Sequence, residues 1–132
     1  MAKTSAANPC TWQEQYGFSQ GVVAEGGRRV LYCAGQTSVD EDGNPMHAGN
    51  MAAQLAQAFD NLQGVLAEAG MTFENVVRLN YYTTDVAAYL EAAPHVADPF
   101  ASLAVKPAGT LLGVAALFHP DIMIEIEATA VD

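Results

Sequence analysis

Positive charge is scarce in this chain. Five basic residues face fifteen acidic ones, a formal charge of −10, and Lys3, Arg28, Arg29, Arg78 and Lys106 are scattered apart from one adjacent pair. Most of such a surface repels a phosphate backbone or an anionic membrane, so neither nucleic acid nor membrane is expected as a partner. Long apolar runs are also missing. None approaches the length that crosses a bilayer, and the opening MAKTSAANPCTWQEQ lacks the apolar stretch of a signal peptide. A cytoplasmic location is the expectation. The two cysteines, Cys10 and Cys33, stand far apart in no metal-like spacing, which argues against a disulfide framework; Cys33 lies in an apolar strand pattern and reads as a small buried hydrophobe. The histidines His47, His95 and His119 show no i, i+4 pairing and no cysteine company, so no preformed zinc site is expected. The G-x-S-x-G elbow, the G-x-x-x-x-G-K phosphate loop and a G-x-G-x-x-G after a strand are absent, which removes serine-hydrolase and nucleotide-binding readings. No preformed zinc site and no nucleotide-binding loop is therefore expected.

What is present is the material of one domain: 132 residues, 51% apolar and 15% charged, with no low-complexity run. Residues 1–15 have no clear period and read as an N-terminal arm. FSQGVVAE (18–25), a Gly-Gly turn and RRVLYCAG (28–35) read as a β-hairpin. In the following loop Asp40, Asp42 and Asn44 have the spacing that opens a calcium-binding EF-hand, but Pro45 stands at the sharp-turn glycine and Met51 at the bidentate glutamate, so the loop reads as a solvated turn. From 50 to 70, Met51, Leu55, Ala58, Phe59, Leu62, Val65, Leu66 and Ala69 make an apolar stripe at helical spacing. Asn50 is placed to cap that helix and Gly70 to end it, with Gln54, Gln57, Asp60, Asn61, Gln63 and Glu68 on its remaining sides. NVVRLNYYTTD (75–85) reads as a strand with Val77, Leu79 and Tyr81 on one face and Arg78, Asn80 and Tyr82 on the other. Residues 86–104 read as a helix that Pro94 breaks. GTLLGVAAL and IMIEIEATA close the chain as two strands joined by FHPD.

The order β-β-α-β-α-β-β predicts an α+β domain, a sheet with two helices on one face. Ile122, Ile124, Ile126 and Ala128 alternate with Met123, Glu125, Glu127 and Thr129, so the isoleucines should meet the helices. The opposite face is mixed, and a two-layer domain leaves it open for another copy of the chain. Glu125 and Glu127 lie on that face about 7 Å apart, close enough to couple their titration when poorly solvated. One can then serve as a general acid or orient a water; the plainer alternative for Glu127 is an ion pair with Arg78.

YGFSQGVV, LYCAGQTSVD, AAQLAQAFDNLQGVLAEAG, the strand ending TTDV, KPAGTLLGVAAL and IEIEATAV, in this order over residues 16–132, resemble the YjgF/RidA family of reactive intermediate deaminases. The resemblance implies a fold like that of Bacillus-type chorismate mutase and a homotrimer with ligand clefts between subunits. It also implies hydrolysis of enamines and imines such as 2-aminoacrylate, with no metal or organic cofactor. Residue by residue, Glu125 matches the glutamate that positions the attacking water and Gly35 the glycine whose backbone approaches the ligand. Phe18 stands where many members have tyrosine, Ala34 where many have serine, and Leu111 where many have cysteine. Deaminating members carry an arginine in a P-A-R-S stretch to clamp the substrate carboxylate; here Pro107, Ala108, Gly109 and Thr110 put Gly109 in its place. Lys106 is an odd number of residues away and would face the other side of an extended strand. The resemblance therefore implies a trimer that binds a small, neutral or weakly polar metabolite in its intersubunit cleft, with Glu125 as polar anchor or general acid and base, and an enamine or imine hydrolase of altered specificity. A non-catalytic binding or interaction protein on the same scaffold is the alternative. The endoribonuclease activity that also labels the family is disfavoured by the charge.

Overall fold

Six strands and two α-helices account for the order of the chain: β1 (Lys3–Ala6), β2 (Val22–Glu25), β3 (Val30–Thr37), α1 (Met51–Glu68), β4 (Val76–Thr83), α2 (Val86–Ala92), β5 (Ala108–Gly113) and β6 (Ile124–Val131). The computed structural model describes residues 2–132. The main sheet has the order β3-β6-β4-β5, with β6 antiparallel to both its neighbours and β5 parallel to β4; β1 and β2 form a separate antiparallel pair.

The most strongly specified element is β6. Ile124, Ile126, Ala128 and Ala130 are buried toward the helices, whereas Glu125, Glu127 and Thr129 lie on the other face. Each fully buried isoleucine contributes on the order of 2 kcal/mol. A slip of one residue would turn them to the open face and bring both glutamates into the core. Leu55, Leu62 and Leu66 of α1, Leu79 of β4 and Phe100 complete the core, and Tyr89 of α2 packs against it.

Helix α1 begins where the Asn50 side chain accepts the Ala53 N–H at 3.0 Å. It ends in a Schellman arrangement: Gly70 takes φ 71°, and the Met71 N–H reaches the Leu66 carbonyl at 2.8 Å. Pro94 converts the end of α2 into a 3-10 turn over Ala93–His95, the expected break.

Four expectations are corrected. The segment read as an arm contains β1, paired with β2 from Lys3↔Glu25 to Ala6↔Val22, and a 3-10 turn over Trp12–Tyr16. Short polar strands carry little periodicity, and this one is specified by its partner. The β2–β3 hairpin is not formed, because the connecting residues bond to the chain end: the Arg28 N–H donates to the Asp132 carbonyl and the Asp132 N–H to the Arg29 carbonyl. Likewise β5 and β6 are not neighbours, since β4 lies between them. The connection between them is longer than FHPD, and it buries Ile122.

The fourth correction concerns Gln54, which is buried rather than on the polar side of α1. Its Nε2 donates to the carbonyls of His47 (3.1 Å) and Asp121 (2.7 Å), and its Oε1 accepts the Met123 N–H at 2.8 Å. One amide thus fastens the loop before α1 and the entry to β6 to the helix. Gln54→Leu strands those groups and is expected to destabilise the fold by on the order of 3 kcal/mol, read from urea denaturation midpoints. A loss below about 1 kcal/mol would show that the amide is not what holds these loops.

Candidate functional site

The residues singled out from the sequence fall into two groups on opposite faces of the sheet. On the open face, Glu125 of β6 is paired with Tyr82 of β4, and Tyr82 with Leu112 of β5. Strand β3 carries a bulge here: it advances from Cys33 to Gln36 while β6 moves only from Ala128 to Ile126, so Ala34 and Gly35 together oppose Glu127. The bulge brings the backbone of Gly35 against Glu125. A Cβ added at Gly35 would land on the carboxylate, 2.6 Å from Cδ and 2.8 Å from Cγ. Any side chain at position 35 would have to displace the Glu125 carboxylate, which occupies that space.

The two glutamates differ in their partners. Glu127 Oε1 accepts from Asn80 Nδ2 at 3.1 Å and from the Tyr82 hydroxyl. Arg78 donates instead to Thr110 Oγ1 at 2.7 Å, so the expected Arg78–Glu127 ion pair does not form. Tyr82 and Asn80 satisfy the carboxylate from β4 without a long cationic side chain having to be ordered. Glu125 accepts no hydrogen bond among the described residues. Half-buried and unpartnered, its carboxyl is pushed above the ordinary value of 4.5, first by burial and then by the charge of Glu127.

The second group lies on the helix side, at the β5 edge. The Ser19 N–H donates to the Pro107 carbonyl at 3.1 Å, which docks the segment after the 3-10 turn beside β5. Phe18 then sits over Gly109: a Cβ added at Gly109 would lie 3.7 Å from that of Phe18 and 3.6 Å from the Leu79 carbonyl, ordinary contact distances. Gly109, unlike Gly35, is not required by its surroundings. Leu111 is paired with Tyr81 and shares this face. Lys106 is committed elsewhere, its Nζ donating to the carbonyls of Ala101 (2.6 Å) and Leu103 (2.7 Å).

Glu125, Gly35 and Ala34 are therefore brought together, as are Phe18, Gly109 and Leu111, but the sheet separates the two groups within one chain. Sequence reasoning missed several neighbours of the second group. Trp12 stacks edge-on against Phe18 (5.7 Å between centroids) and Tyr16 (6.4 Å), and the Asp98 carboxylate lies beside Gly17, 3.5 Å from where its Cβ would be. Tyr81 and Tyr89, 5.7 Å apart, both feel Asp98; burial and then that charge push the Tyr89 hydroxyl up to about 12. The aromatic spacing in WQEQYGF was a visible signal, whereas nothing local to Asp98 announces it.

The chain is thus a two-layer α+β domain with an acid that has no hydrogen-bond partner among the described residues on one face of its sheet and an exposed aromatic cluster at the β5 edge of the other. The sequence profile of the endoribonuclease L-PSP family matches residues 12–132. A RutC family protein of Aquifex aeolicus is 32% identical over 112 residues, covering 84% of this chain and 86% of its own. The mitochondrial protein MMF1 of Saccharomyces cerevisiae is 29% identical over 115 residues, covering 87% and 74%. Among solved structures, the Rid family protein YyfB from Yersinia pestis superposes with a TM-score of 0.86 at 32% identity, over 98% of both chains. The chain belongs to the YjgF/RidA family, also called the endoribonuclease L-PSP family.

Two outcomes follow from the carboxyl. Its raised value means that the folded state binds the proton more tightly than the unfolded chain, so stability falls as pH rises from 4.5 through the raised value. Glu125→Gln removes that loss and should be the more stable protein at about pH 7, with the gap closing near about pH 4, as read from thermal midpoints. A gap independent of pH would contradict the burial of this charge. Gly35→Ala should displace the Glu125 carboxylate while shifting the thermal midpoint by only a few degrees, because the obstructing atoms belong to a flexible side chain.

Proposed function

We propose that this protein is a hydrolase of imines and enamines, acting in clefts between subunits of a homotrimer, with Glu125 as its general acid and base. The observation that carries the proposal is Glu125 itself: a half-buried carboxyl with no partner, its value shifted upward, in a gap kept open by Gly35. A carboxyl moved toward neutrality exchanges protons efficiently in both directions. Ionised, it takes a proton from water as the oxygen adds to the imine carbon. Protonated, it returns that proton to the nitrogen, and the C–N bond breaks. The sum is an iminium ion and water giving a carbonyl compound and ammonium, with no electrons exchanged.

Assembly completes the cleft in this reading. The open face exposes Tyr32 at 80% together with Val30 and Leu112, large apolar groups that a second copy would cover. The same contact would carry one subunit's Glu125 to the Phe18–Gly109 edge of its neighbour. Sedimentation at micromolar concentration should give a trimer; a monomer would remove this part of the proposal.

Without an arginine at position 109, a substrate carboxylate finds no bidentate cation and meets the charge of Glu125. The loss of such a contact costs several kcal/mol, of order 10²-fold or more in rate. The specificity is therefore altered from that of 2-aminoacrylate hydrolysis. The same substitution favours the second reading, a non-catalytic ligand-binding protein on this scaffold. The endoribonuclease activity in the family's name is opposed by the charge of −10.

The test generates imines in situ, with and without a carboxylate, and follows carbonyl release by the natural protein, Glu125→Gln and Gly109→Arg. Turnover lost in Glu125→Gln supports the hydrolase. Absence of turnover on every imine, with ligand binding retained, supports the binding protein instead. RNA cleavage by highly purified protein, abolished in Glu125→Gln, would replace both.

A further inference from the structure

At the β5 edge on the helix side, the rings of Trp12, Tyr16 and Phe18 meet at a turn that has the Asp98 carboxylate beside it. Trp12 and Tyr16 are 55% and 68% exposed, unusual for a tryptophan and a tyrosine packed against other rings. Tyr16 and Phe18 stand at 67° and 72° to Trp12, so the three rings form adjoining walls rather than a flat stack. Gly17 between them takes φ 73°, which turns the chain so that Tyr16 and Phe18 both reach Trp12. Beside that turn lies Asp98. Its Oδ1 accepts the Phe100 N–H at 2.9 Å, and its Oδ2 is the atom directed at Gly17. Two basic side chains, Lys106 and Arg78, are committed elsewhere: Lys106 to loop carbonyls, and Arg78 to Thr110 on the opposite face of the sheet.

Ring faces carry partial negative charge, and a carboxylate adds a full one. No side chain at Gly109 supplies positive charge to oppose them. We propose that Trp12, Tyr16, Phe18 and Asp98 bind a small organic cation, an ammonium or iminium group on a molecule without a carboxylate. Where an arginine at position 109 would make the recess select anions, glycine leaves it selective for the opposite sign. The natural ligands would then be amines and the imines formed when amines, rather than amino acids, are oxidised. The cation site itself stands on one subunit's residues. Its connection to hydrolysis rests on the proposed role of Glu125, whose charge in an adjoining subunit would add to the attraction.

Trp12 is the only tryptophan in the chain, so its fluorescence reports directly on this recess. The probes are benzyltrimethylammonium and benzylammonium as cations, benzyl alcohol as the neutral form and benzoate as the anion, each titrated into the full-length protein. The two cations should bind saturably and alter Trp12 emission, roughly tenfold more tightly than the alcohol, with benzoate weakest. Asp98→Asn keeps the Oδ1 that accepts from Phe100, and it should weaken the cations roughly tenfold while leaving the alcohol unchanged. Tyr16→Ala retains the fluorophore and should weaken the cations as well. Gly109→Arg, whose Cβ would meet only ordinary contacts, should reverse the order in favour of benzoate. Equal binding of benzoate and benzylammonium, or cation binding indifferent to both Asp98→Asn and Tyr16→Ala, would overturn the proposal. Since binding is read without turnover, cation binding in a protein that hydrolyses no imine would leave this site standing and remove the hydrolase. Hydrolysis confined to carboxylate-bearing imines, with no cation binding, would do the reverse.

Discussion

The alternation of β6 is the constraint on which the rest of this structure depends. The strand lies between β3 and β4, so both of its edges are used in pairing and neither of its faces can move independently. Burial of Ile124 and Ile126 against α1 sets its register, and that choice delivers Glu125 and Glu127 to the other face. The acid at the candidate site is held in place by hydrophobic packing on the reverse side of its own strand. Gln54 reinforces this by bonding to the residues that lead into β6.

Two glycines then shape the site in opposite ways. Gly35 is compelled: the β3 bulge brings its backbone to where the Glu125 carboxylate lies, and any side chain would displace that group. Gly109 is permitted rather than compelled, since a Cβ added there would meet only ordinary contacts. The first leaves room for an acid, and the second puts no side chain at the β5 edge. Tyr82 and Asn80 occupy Glu127, which leaves Glu125 the only one of the pair without a hydrogen-bond partner. Two carboxylates two residues apart thereby acquire different chemistry from their neighbours alone.

Most of the layout was legible in the chain. The α1 stripe, its Asn50 cap and Gly70 terminus, the break at Pro94, and the opposite faces of β4 and β6 all follow from spacing and local conformational preference. The resemblance to the YjgF/RidA family, carried by ordered motifs, is matched by relatives that span nearly the whole chain. Pairings between distant segments were less accessible. A Gly-Gly turn between two apolar runs has the local signature of a hairpin, yet Arg28 and Arg29 bond to Asp132, a residue more than a hundred positions away.

By itself, the sequence determined the periodic elements, the acidic surface, the alternation that sets Glu125 on an open face and the glycine at position 109. Each is a property of composition or of spacing along a few turns, and short-range sterics suffice to express it. Tertiary structure decided that β1 is a strand, that β4 separates β5 from β6, that Gln54 is buried, and that Glu127 is satisfied by Tyr82 while Glu125 is not. It also placed the Asp98 carboxylate beside Gly17 and set the rings of Tyr16 and Phe18 against Trp12. These outcomes arise where segments remote in the chain compete for the same hydrogen bonds and the same volume, and that competition is resolved only when the whole core closes.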